Sequence, residues 1–108
     1  MVSALLTSDD VVQRMYDGAV TAVEGLDYEV IVQSGQGRGS VTVQPSAGQG
    51  RSLMYLIGDY TAGEVESFRE DSDCEVLTIW SDEFEVITEE FAADHIKRWL
   101  FKEAGGWT

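Results

Sequence analysis

One cysteine, one proline, one histidine and two lysines are all that 108 residues contain of four residue types that often carry structure or chemistry. A lone Cys74 cannot close an internal disulfide, which excludes a disulfide-stapled scaffold and suits a reducing compartment. One cysteine and one histidine, His95, also fall short of the ligand set that a zinc site takes. No stretch approaches the roughly 18 consecutive apolar residues that read as a membrane-spanning helix. The opening MVSALLTSDD has no basic start, and its apolar run is too short for a signal peptide, so a cytosolic protein is expected. The apolar content, 44% with 10% aromatics, is nonetheless ample for a packed core. That excludes a disordered acidic tail, and residues 1–108 are expected to form a single α+β domain.

Basic residues are scarce and acids are not. Twenty Asp and Glu against seven Lys and Arg leave a net charge of −13. Such a field repels nucleic-acid backbone and anionic membrane and attracts basic surfaces. The acidity is uneven. Residues 1–58 hold six acids and three arginines, residues 59–94 hold thirteen acids and Arg69, and residues 95–108 hold Lys97, Arg98 and Lys102 against Glu103. A solvated face or a halophilic source would each supply acidity without function. A halophile, however, would acidify the first half as strongly as the second.

Thr7-Ser8-Asp9-Asp10 is a helix start, with Thr7 placed to accept the Asp10 amide and the aspartates at the positive end of the dipole. Val11, Val12, Met15, Ala19, Ala22 and Val23 follow at helical spacing, and Gly25 suits the residue just past the end. Strands are expected at Tyr28–Gln33, Val41–Gln44, Ser52–Ile57, more weakly at Glu64–Arg69, and at Cys74–Trp80. Phe84–Ile87 is expected to pair with the last of these across a Ser81-Asp82-Glu83 turn. Ser34–Ser40 is expected to be a flexible hairpin loop. Thr88 caps a final helix whose Phe91, Ala92, His95, Ile96, Trp99 and Leu100 make an apolar stripe, ended by Gly105-Gly106. The expectation is an antiparallel meander of about five strands with both helices on one face and the other face open.

Catalytic constellations are absent from the pattern. His95 lies in an apolar stripe one turn before Trp99, where a packed histidine is the ordinary case. Asp71, Asp73 and Glu75 alternate like the start of a calcium loop, but the loop glycine and distal glutamate do not follow in register. Gly35-Gln-Gly37-Arg-Gly39 lacks the third glycine of a dinucleotide fingerprint and precedes a strand, not a helix. There is no P-loop lysine, and carboxylates are too many for any pair to stand out. The chain reads as a non-enzyme with no metal and no cofactor.

Its acids instead have the makeup of an interface. Trp80 by itself reads as a core residue, by burial preference. Beside Asp71, Asp73, Glu75, Asp82, Glu83 and Glu85 it would make an aromatic anchor in a charged rim, and those seven residues are the expected partner-binding set. The partner would be a basic protein, without direct contact to nucleic acid or membrane. An exposed strand edge leaves a homodimer open.

The element order resembles the Imm1-type bacterial immunity proteins. The matching features are the apolar strand Leu53–Ile57, the polar stretch and acidic strands after it, the Thr88-Glu89-Glu90 helix start, the helix residues Ile96, Trp99, Leu100 and Phe101, and Trp107 near the end. The family's usual Arg-Pro after the last helix is replaced here by Glu103-Ala104-Gly105-Gly106. The resemblance implies a cytosolic neutraliser of a cognate toxin, often one of the nucleic-acid deaminase class. Two other functions fit the same composition: a phage anti-defence protein that mimics DNA, and a small ligand-binding domain or enzyme. The latter would use the open sheet face, with a pocket lined by Tyr28, Tyr55 and Trp99.

Overall fold

The Thr7 hydroxyl accepts the Asp10 amide at 3.2 Å, and the Asp10 carboxylate accepts the Thr7 amide at 2.9 Å. This reciprocal cap opens the first helix, α1 (Ser8–Val23), and the bonding to Thr7 lowers the Asp10 pKa. Glu24 closes the helix and Gly25 follows at φ +81°, a left-handed conformation that suits glycine. The computed structural model describes residues 6–47, 50–70 and 73–103, so Asp71, Gly105, Gly106 and Trp107 lie outside the described residues.

Strands β1 (Tyr28–Gly35) and β2 (Arg38–Pro45) form a hairpin in unbroken antiparallel register from Tyr28↔Pro45 to Gly35↔Arg38. The expected loop from Ser34 to Ser40 shrinks to the turn Gln36-Gly37. Both turn residues take positive φ, 51° and 83°, the mirror-image turn whose twist matches that of the flanking strands. Strand β3 (Ser52–Ile57) adds antiparallel to β2.

Beyond β3 the expected meander fails, for two reasons. Glu64–Arg69 is not a strand but part of helix α2 (Ala62–Arg69), opened by a second reciprocal cap between Thr61 and Glu64. A helix between two strands returns the chain in the same direction, so β4 (Cys74–Ile79) pairs with β3 in parallel. Phe84–Ile87 is not a strand either. Ser81–Val86 is a 3-10 helix, in which Phe84 and, just beyond it, Ile87 point inward at a spacing of three while Val86 is 72% exposed. A strand would have sent Phe84 and Val86 to the same side. The sheet thus has four strands in the order β1-β2-β3-β4 and is mixed, not antiparallel throughout.

Helix α3 (Glu89–Glu103) starts where expected, the Thr88 hydroxyl accepting the Phe91 amide at 3.0 Å. It packs beside α1 on one face of the sheet, as expected of the two terminal helices. Val11, Met15 and Ala19 of α1, Ile96 and Leu100 of α3, and Val41, Val43, Leu53, Tyr55 and Ile57 of the sheet share one buried cluster. The opposite face is not left open. Val65 of α2 covers Leu56 and Val76, with Met54, Tyr60 and Cys74 around them. The core is therefore two unequal layers of apolar side chains either side of β3, with α2 closing the β3–β4 half of the second face.

Candidate partner-binding surface

Strand order fixes where the charge lies. No acid occurs from residue 30 to residue 58, and no lysine or arginine from residue 70 to residue 96. The first span contains β2, β3 and nearly all of β1, while the second contains β4, the 3-10 helix and the first turns of α3. Because β1 and β4 are the two edges of the sheet, one edge carries the acids and the other is almost free of them.

Not all acids of the second half are free to meet a partner. Both oxygens of Glu64 accept from the Arg38 guanidinium, which also lies over the Tyr60 ring at 4.5 Å. The bidentate partner, with the Thr61 amide, takes the Glu64 carboxyl from its ordinary 4.5 down to about 2. Glu66 pairs with Arg69 at 3.9 Å, Glu75 with Arg51 at 3.7 Å, and Asp94 with Arg98 at 3.1 Å. A carboxyl whose pKa falls on folding stabilises the fold above its unfolded pKa and loses that contribution as pH drops toward the folded value. Glu64→Gln, which keeps the helix cap, is therefore expected to be less stable than the parent at pH 6. The gap should close between about pH 4.5 and pH 2, as read by urea unfolding at each pH. A gap that stays constant with pH would show that the Arg38–Glu64 pair contributes nothing through its charge.

Asp71 lies outside the described residues, and the other six expected site residues fall into two groups. Asp73 and Glu75 lie at the start of β4, whereas Trp80, Asp82, Glu83 and Glu85 lie beyond its end. Four strand residues, 76 to 79, lie between Glu75 and Trp80 and hold the two groups at least about 16 Å apart at ~3.3 Å per residue. The carboxylates from Asp59 to Asp94 therefore do not converge as a whole, although a subset does. Ser81 donates to the Asp59 carboxylate at 3.2 Å, which ties the turn after β3 to the start of the 3-10 helix. The Glu83 carboxylate accepts the Trp80 amide at 2.8 Å and so caps that helix as well as adding charge. Residues three apart in a 3-10 helix eclipse one another, which sets Asp82 directly beside Glu85. Glu89 and Glu90 follow at the positive end of α3, both exposed.

Asp82 and Glu85 wall a groove of about 450 Å³ that Leu6, Phe84 and Ser81 complete. Among the described residues its apolar lining comes from Leu6 and Phe84, which composition did not single out. The spacing Ser81, Phe84, Ile87 was the available signal for Phe84, and only the fold brings Leu6 to it. On the α2 side, Trp80 borders a second depression of about 240 Å³ with Ala62, Val65, Glu66, Arg69 and Thr78. Trp80 is 38% exposed, so it is not the core residue that burial preference suggests.

His95 meets two aromatic side chains. Its Nδ1 lies 2.5 Å from the Tyr55 hydroxyl and its ring stacks on Phe91. Burial pushes the Tyr55 pKa up, so with Nδ1 unprotonated the hydroxyl donates to it. Tyr28, Tyr55 and Trp99 do not line an open pocket as expected of a ligand-binding sheet face. They belong to the face that α1 and α3 cover, where Tyr28 meets Trp99 edge-on and Tyr55 is almost fully buried. Among the described residues no three Asp, Glu, His or Cys side chains group as metal ligands, and no helix is long and apolar enough to cross a membrane.

No family model, no curated protein and no solved structure matches this chain.

Proposed function

We propose that this chain is a non-catalytic cytoplasmic binding protein that neutralises a basic partner, a cognate toxin, by seating it on the surface from Trp80 to Glu85. One observation carries it: the acid-walled, apolar-lined groove of Leu6, Ser81, Phe84, Asp82 and Glu85, with the 38% exposed Trp80 preceding Ser81 in the chain. An arginine or long lysine side chain has both halves of that chemistry. Its methylenes lie on apolar surface and its cationic head reaches carboxylates. Five acids between Asp82 and Glu90 with no basic residue among them give the surrounding field. Such a field attracts a basic protein over distance, and an aromatic anchor holds it on contact. The Imm1-type resemblance, carried by the strand Leu53–Ile57 and the final helix with Ile96, Trp99, Leu100 and Phe101, supports a toxin as that partner.

The test is affinity capture from the native cell, followed by kinetics with the purified partner. The expected partner is a basic toxin whose association rate falls at least about tenfold between 50 mM and 500 mM salt, since screening shortens the reach of exposed charges. An acidic partner, or an association rate indifferent to salt, would refute the proposal. A basic phage-defence nuclease in place of a toxin would instead mark the chain as a DNA mimic.

A further inference from the structure

The opposite edge of the sheet has the reverse character. Strand β1 runs for eight residues with no bulge, no proline and no lysine, the devices by which exposed edges are ordinarily protected. Ile31 and Val32, on opposite faces of the strand, are 38% and 39% exposed. Above the strand, α1 turns Gly18 toward Ala92 of α3. Helical geometry then directs Tyr16 and Val20 to the other flank, over β1, and both are exposed. Tyr16, Val20 and Val32 on the helix-covered side and Ile31 on the other thus leave apolar side chains exposed along this edge, which no other strand covers among the described residues.

We infer that this edge pairs with β1 of a second copy, antiparallel, joining two four-stranded sheets into one of eight. Charge selects the occupant. Each copy carries −13, so two copies repel one another except where acids are missing, and β1 from Val30 onward lies in the acid-free span. The β4 edge, flanked by Asp73, Asp82 and Glu83, has no such allowance.

The register follows from the hairpin. The two-residue turn makes Gly35 and Arg38 its closing hydrogen-bonded pair, and Asp27 accepts the Ser46 amide at 2.9 Å at the far end. Alternation then aims the backbone groups of Tyr28, Val30, Val32 and Ser34 away from β2. A two-fold axis at Ile31 matches all four: Tyr28 with Ser34 of the second copy, Val30 with its Val32, and the two reciprocal pairs. Ile31 faces its own copy, and Glu29, whose carboxylate accepts from Gln44 at 2.7 Å, falls opposite Gln33 instead of another acid. Both copies present the same patch, so the contact closes at two and does not propagate. The assignment is independent of the proposed function, because it uses the other edge of the sheet.

Sedimentation equilibrium across micromolar to millimolar concentration, with the full chain, is expected to show a monomer–dimer equilibrium that tightens as salt rises. Ile31→Lys sets two cations opposite one another across the axis and should weaken the dimer at least tenfold, with far-UV circular dichroism unchanged. If that variant misfolds, the conservative Ile31→Cys decides. A pair directly opposite at a non-hydrogen-bonded site has Cα atoms about 4.5 Å apart, within disulfide range. In a Cys74→Ser background, mild oxidation should link Ile31→Cys into a dimer. Gln33→Cys should stay monomeric, since its copies lie about 13 Å apart along the strand at ~3.3 Å per residue. A chain that is monomeric at millimolar concentration, a dimer that weakens with salt, or equal cross-linking at both positions would overturn the assignment.

Discussion

Replacing Gly18 by leucine is expected to cost more stability than any exposed substitution in this chain. A Cβ built on Gly18 would stand 2.5 Å from the Ala92 Cβ, 2.7 Å from the Glu89 carbonyl oxygen and 2.8 Å from the Ala93 amide nitrogen. Two of those three neighbours are backbone of α3 and cannot swing aside as the tip of a long side chain would. The helices would have to separate, and the shared cluster of Val11, Met15, Ala19, Ile96 and Leu100 would separate with them. Overpacking commonly costs about 1–3 kcal/mol, and a backbone-limited contact belongs at or above the top of that range. Helix propensity opposes this by about 1 kcal/mol, because glycine is a poor residue mid-helix. Sterics win, and the net loss of roughly 2 kcal/mol or more is a large share of the ~5–15 kcal/mol that holds an ordinary domain together. Urea denaturation should show a lower midpoint. Gly63→Leu supplies the comparison, since a Cβ there meets nothing within 4 Å and should leave the midpoint close to that of the parent. Equal effects at the two glycines would mean that the α1–α3 contact is not the tight one described.

The second large effect concerns association with a basic partner. The triple variant Trp80→Ala, Asp82→Lys, Glu85→Lys removes the aromatic anchor and reverses both walls of the groove. Glu83 is left in place because it also caps the 3-10 helix through the Trp80 amide, so its loss would confuse folding with binding. The two charge reversals change the local charge by four and should slow association by one to two orders of magnitude at low salt. Truncating an aromatic anchor characteristically costs ~2 kcal/mol or more and acts mainly on dissociation. Affinity should therefore fall about a thousandfold, with the loss in association rate recovering at high salt and the loss from Trp80 persisting. Reversing Asp73 and Glu75, at least about 16 Å from Trp80 by strand rise, should do much less. If the Asp73 and Glu75 reversals proved the more damaging, the partner would sit at the other end of β4.

Helix starts and the strand positions of the first half are legible because their causes are local. Thr7 and Asp10 need only each other to cap α1, Thr88 needs only the Phe91 amide, and Val41, Val43, Leu53 and Tyr55 alternate inward as period two requires. The second half is ambiguous where two local patterns overlap. Val65 and Phe68 with Thr61 and Glu64 form a helix signature, yet Glu64–Arg69 also carries enough apolar character to pass for a weak strand. Phe84, Val86 and Ile87 satisfy a strand or a 3-10 turn equally well until burial decides that Phe84 and Ile87, not Phe84 and Val86, enter the core. The spread of the expected site residues has a different cause. Asp73 and Glu75 are near Asp82 and Glu83 in sequence, and an extended strand is the element that carries such neighbours furthest apart.

The order of residues alone determined the separation of charge, the two terminal amphipathic helices and the hairpin of β1 and β2, because each depends on interactions within a few residues. The tertiary structure decided that β4 runs parallel to β3, that Leu6 joins Phe84, Asp82 and Glu85 around one groove, and that acid-rich and acid-free strands become opposite edges of one sheet. These are contacts between distant segments. Burial of shared apolar surface selects them, and no local pattern contains the other half of the contact.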